Sequence, residues 1–166
     1  MTWRRPGRVV RFGALVLTLG MVWAFSGSPT MAAEAHRRVA GAIRIADAWI
    51  RATPPGAASA AAYLRVINTG KAPDRLVGAD IAGVASVTPH EMSMNQGVMR
   101  MRELPNGVPT PAHGEVALSP GGDHLMLMGL GRGFHVGETI PATLRFAHAG
   151  KIRAMFVVRE SAPTAP

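Results

Sequence analysis

His90, Met101, His124 and Met126 are the residues of this chain whose types and spacing could do chemistry. They sit in HEMSMNQGVMRM and GGDHLMLMGL: a histidine, a methionine eleven residues later, then a His-x-Met pair. Two imidazoles and two thioethers form a soft, neutral donor set in a chain without cysteine. Thioether sulfur favours Cu(I), whereas Zn(II) sites recruit thiolate, imidazole or carboxylate. The chemistry that suits this set is the binding of reduced copper.

Strands can bring these donors together. Residues two apart on a pleated strand share a face and lie roughly 6.6 Å apart, so His124 and Met126 can aim at one ion. The other pair requires a hairpin. An Asn95-Gln96 turn pairs Met94 with Gly97, sets Met92 against Met99, and sets His90 against Met101 with Cβ atoms about 5 Å apart. A four-residue loop with Ser93 opposing Val98 keeps that register, whereas a one-residue slip sends Met101 to the other face.

A lone His-x-Met is more often packing than a ligand, because methionine fills gaps in cores. Here six of ten methionines fall within Met92–Met101 and His124–Met128, beside two histidines. That concentration favours ligation for the quartet. Met94 is a further candidate, whereas Met92, Met99 and Met128 are read as packing around the ligands. His113, His135 and His148 read as solvated surface residues. His36 becomes a possible Cu(II) chelate only if cleavage makes it the N-terminus.

The first 35 residues read as an export signal. Arg4, Arg5, Arg8 and Arg11 precede the uncharged, largely apolar run of fourteen residues Phe12–Phe25, and Ala33-Glu34-Ala35 resembles a cleavage site. Fourteen residues are short for a membrane span of about twenty, so a cleaved signal and a periplasmic product without membrane insertion are expected. Residues 36–160 then form one domain, followed by a disordered tail at 161–166. Net charge falls from +8 to +5 once the signal is removed, with the basic residues dispersed. Nucleic-acid binding wants a concentrated patch, so it is not expected. Absence of cysteine excludes disulfides, a lipoprotein anchor, blue-copper ligation and a thiol copper carrier.

The elements that must position the quartet read as short β-runs punctuated by Gly, Pro and Asn. They are 43–50, 60–67, 75–81, 85–94, 98–104, 114–118, 124–130, 139–146 and 152–158, an all-β sandwich pattern. Trp49, Tyr63, Phe146 and Phe156 are expected in the core or at its rim. Asp47, Asp74 and Asp80 are scattered, no Ser-His-Asp ordering stands out, and no phosphate-binding glycine loop is present. The chain does not read as an enzyme.

The spacing H-x10-M-x22-H-x-M resembles the H-x10-M-x21-H-x-M motif of the periplasmic copper chaperones called PCu(A)C. The words HEMSMNQGVMRM, LSPGGDHLMLMGL and VGETIPATLRFAHAG are similar too, and the likeness runs from about Ile43 to Val158. The extra residue falls in the Pro/Gly-rich connection Pro105–Gly114, where loops absorb insertions. The resemblance implies a cupredoxin-like Greek-key β-sandwich, a monomer, that holds Cu(I) through His90, Met101, His124 and Met126. It also implies delivery toward cytochrome c oxidase, at its CuA subunit or with a thiol-based copper assembly factor. Because imidazoles ligate only when neutral, such a site weakens below about pH 6.5. Two other readings stay open: a periplasmic copper buffer or resistance protein without a dedicated recipient, and a structural β-sandwich with an incidental Met/His cluster.

Overall fold

The computed structural model describes residues 41–160; the expected export segment and cleavage site, His36 and the expected tail at 161–166 lie outside the described residues. Ten strands follow in order: β1 (Ile43–Arg51), β2 (Ser59–Asn68), β3 (Asp74–Ile81), β4 (Val84–Asn95) and β5 (Val98–Glu103), then β6 (Val108–Thr110), β7 (Gly114–Leu118), β8 (His124–Leu130), β9 (Thr139–Phe146) and β10 (Gly150–Arg159). Period-two alternation sets their faces. In β9, Ile140, Ala142, Leu144 and Phe146 are buried while Thr139 and Pro141 are exposed, as expected of a strand with one face on a core.

The strands form one hydrogen-bonded sheet in the order β5-β4-β8-β2-β1-β10-β9-β3-β6, with β7 also on β2. β2 is shared, pairing through Ser59–Ala62 with β8 and through Leu64–Asn68 with β7. The sheet curls so that β6, at its far end, approaches β7 and β2. Ile50, Leu76, Leu125, Leu127, Leu144 and Phe156 fill the enclosed core. This is the all-β, cupredoxin-like architecture expected. The sequence reading missed β6, a three-residue strand carrying Pro109. A proline is tolerated there because β6 is an edge strand.

A bulge in β1 matters for the site. Pairing with β2 shifts between Ala46 and Trp49, where Asp47 adopts φ 50 and meets Arg65 at 3.1 Å. The extra residue inverts the alternation. Ile43 and Ile45 point to the core before it and Ile50 after it, so Trp49 is turned to the outer face. There it pairs with Tyr63, their ring centroids 4.5 Å apart. Both rings are buried, as expected of them, yet neither belongs to the main core cluster.

Asp74 ties β3 to the turn between β9 and β10. Its buried carboxylate accepts the backbone N–H groups of Arg75 at 2.7 Å, His148 at 2.9 Å and Ala149 at 2.8 Å. Removing it would orphan buried donors, and hydrogen bonds to a charged group contribute about 1.5–3 kcal/mol each. Asp74→Ala is therefore expected to lower unfolding free energy by about 3 kcal/mol or more, measured by urea titration. A loss within experimental error would show that water replaces the carboxylate without penalty.

Candidate metal centre

The hairpin that carries half of the site turns at Gln96-Gly97, with φ 49 and 78 at the two residues. Two-residue hairpin loops of this hand need positive φ at both positions, and glycine supplies one without strain. The expected Asn95-Gln96 turn would have put two side-chain-bearing residues there, so the turn moves on by one residue. Asn95 consequently pairs with Val98, Met94 with Met99, Met92 with Met101, and His90 with Glu103. The expectation that His90 directly opposes Met101 is thus corrected. The register differs by two residues, an even shift that preserves the faces. His90 and Met101 remain on one side of the sheet as diagonal neighbours.

β8 completes the cluster from the other edge of β4. His90 pairs with His124, and Thr88 with Met126. The two imidazoles stack with centroids 6.0 Å apart and planes inclined by 28°. Leu125 and Leu127, between and beyond the two candidate ligands, point into the core and are fully buried. Their burial holds His124 and Met126 on the opposite face.

Backbone carbonyls orient both rings. His90 Nδ1 lies 3.3 Å from the Thr88 carbonyl, and His124 Nδ1 lies 3.1 Å from that of Gly122. A carbonyl can only accept, so Nδ1 carries the proton and Nε2 keeps its lone pair for a metal. Tyr63 supports His124 from behind, with ring centroids 6.4 Å apart. Burial pushes the Tyr63 phenol above its ordinary pKa, opposed by the Arg51 charge, so the ring remains a neutral support. Nearby, burial and then the Glu91 charge raise the Asp123 carboxyl, while His124 lowers it.

Met101, His124 and Met126 line a surface cavity of about 330 Å³, and Met92 joins them. Arg51 and Tyr63 stand among its other walls. His90 does not line this cavity; it flanks it as the half-buried stacking partner of His124. The burial of the four is uneven: His124 is 3% exposed and Met101 51%. Met92, read from sequence as packing, faces Met101 on the cavity wall. Its i, i+2 relation to His90 was the available signal. His113, His135 and His148 are exposed and absent from this cavity, as expected; His135 instead meets Glu138 at 2.9 Å. Among the described residues no group of three or more His, Cys, Asp or Glu could hold a metal. A centre here with three or more side-chain ligands would need donors of another kind, and the thioethers of Met92, Met101 and Met126 stand beside His124.

The ring orientation is testable in the metal-free protein. Long-range ¹H–¹⁵N correlation spectra at mildly alkaline pH are expected to show His90 and His124 as Nδ1–H tautomers. An Nε2–H tautomer at either residue would mean that its carbonyl contact is not made.

Known proteins resemble the chain over this same region. The copper-bound PCuAC domain from PmoF2 superposes with a TM-score of 0.61 and 30% identity, covering 74% of this chain and 95% of that one. The Cu(I) form of DR1885 from Deinococcus radiodurans gives 0.58 and 31%, covering 78% and 87%. The apo PCuAC domain from PmoF1 gives 0.60 and 26%, covering 74% and 96%. A putative lipoprotein of Leifsonia xyli subsp. xyli is 35% identical over 115 residues, 69% of this chain and 68% of the relative. Residues 43–158 match the family described as putative lipoprotein LpqE-like, and the chain belongs to that LpqE-like family.

Proposed function

We propose that this protein is an exported copper carrier of the periplasm that holds one Cu(I) tightly and passes it on. His90 and His124 supply Nε2, and Met101 and Met126 supply Sδ. The observation that carries this reading is the stacked His90–His124 pair beside Met101 and Met126, in a chain without thiolates. Copper in the PmoF2 domain and in DR1885 supports it.

The donor set suits carriage rather than redox turnover. Four neutral ligands leave the ion's single positive charge in place, and thioethers favour Cu(I) over Cu(II). Binding releases no thiol proton, so protons compete only at the imidazoles. Release follows from the uneven burial. Met101 projects from the exposed edge strand β5 and is the easiest donor to displace, whereas His124 is locked beneath Tyr63. An incoming thiolate would replace Met101 first and then draw the ion from the histidines. That chemistry fits a thiol-based recipient, and cytochrome c oxidase CuA assembly is the destination we infer.

Competition against a chromogenic Cu(I) chelator is expected to show one tight equivalent per chain. Met101→Ala is expected to weaken it about tenfold or more, equivalent to at least 1.4 kcal/mol, and His124→Ala to remove it. Wild-type affinity in both variants would refute the assignment.

A further inference from the structure

The outer face of the β4–β5 hairpin carries more thioether than the quartet uses. Met92 faces Met101, and one step toward the turn Met94 faces Met99. Met94 is 66% exposed and Met99 59%. The expected packing role therefore fails for Met99, and it cannot account for Met94. Apolar side chains left in water forgo about 25 cal/mol per Å² of burial, so these two cost stability without filling a core.

The arginines of the hairpin lie on its other face, and Glu103, opposite His90 at the end away from the turn, is the one charge on the thioether face. Glu91 pairs with Arg102 and Ser93 with Arg100 across the strands, and Arg102 Nη2 meets the Glu91 carboxylate at 2.6 Å. The alternation thus keeps the Arg100 and Arg102 side chains away from the Met94/Met99 pair. Directly opposed residues have Cβ atoms about 4.5–5.5 Å apart. Two flexible methionine side chains at that spacing can close on one ion at metal–sulfur distances of about 2.3 Å. Met92, two residues before Met94 on the same face, can supply a third sulfur.

We propose that Met94 and Met99, assisted by Met92, form a second site for a soft monovalent cation, Cu(I) or its analogue Ag(I). This site is built from thioethers alone and holds the ion about tenfold or more weakly than a site that includes imidazole. It stands toward the tip of the edge hairpin and shares the Met92/Met101 rung with the first cavity. An ion captured there can pass inward by exchanging one thioether for the next. The inference is independent of the quartet, because its residues are different and can be read separately.

Ag(I) titration of the full chain labelled with ¹³C at methionine methyls tests it. The expected result is that Met126 responds over the first equivalent and Met94 and Met99 over the second. Met155, 58% exposed on β10, is a lone surface thioether and is expected to stay still. The Met94→Leu/Met99→Leu variant keeps similar side-chain volume and is expected to lose the second equivalent while keeping the first. Met94 and Met99 methyls that move no more than Met155 would overturn the proposal, as would a second equivalent retained in the double variant. Movement of Met94 and Met99 with Met126 silent would support the hairpin site while removing the quartet.

Discussion

The burial of Val87, Leu125 and Leu127 is the constraint on which the candidate centre depends. These side chains are in the core, and Val87 pairs with Leu127 across β4 and β8. With a side-chain period of two, fixing one face fixes the other. His90, His124 and Met126 are held outward because their neighbours are held inward. A one-residue slip of β8 would turn two leucines out of the core and an imidazole and a thioether into it. At roughly 1.5–3 kcal/mol per large apolar side chain, the slip is far more costly than any loop rearrangement could recover. The position of the donors is therefore enforced by hydrophobic packing, with no need for metal to organise it.

β4 extends that order beyond the core. Its twelve residues pair with β8 from Val84 to His90 and with β5 from His90 to Asn95. His90 is the one residue that pairs with both neighbours, so it joins the anchored half of the site to the exposed hairpin. The bulge at Asp47 contributes from the other side. By inverting β1 it delivers Trp49 to Tyr63, and Tyr63 in turn backs His124. The buried imidazole thus sits beside a pair of buried, tilted aromatic rings, while Met101 hangs from a strand exposed along its length.

Much of this was legible from sequence, and the failures have physical causes. Nine strands follow from alternation and turn residues, because apolar periodicity reports directly on a half-buried sheet. β6 was hidden by the prolines around it, which are compatible only with an edge that sequence cannot locate. The sharing of a face by His90 and Met101 was readable, since it depends only on whether the register is odd or even. The actual partner was not: x10 spacing fits His90 opposite Met101 as well as Met92 opposite Met101. The need for glycine in the turn decides between them, and weighing Gly97 above Asn95 would have found it. Exposure of Met99 was illegible, because methionine is as common in cores as at binding surfaces and its strand has no covering neighbour.

Under the proposed carrier reading, that exposure would let one fold hold an ion firmly and still give it up. A site enclosed on all sides would exchange slowly, and a site made only of surface side chains would lose its geometry. Here the two demands fall on different strands. β8 pairs on both sides and sends Leu125 and Leu127 into the core, whereas β5 has one partner and no buried residue. Local opening of such an edge costs much less than global unfolding. The proposed donor on β5 would therefore leave and return while those on β8 stay in place. Under the proposed reading, uneven burial would give the exchange a direction, with contact beginning at the methionines of the hairpin and ending at His124.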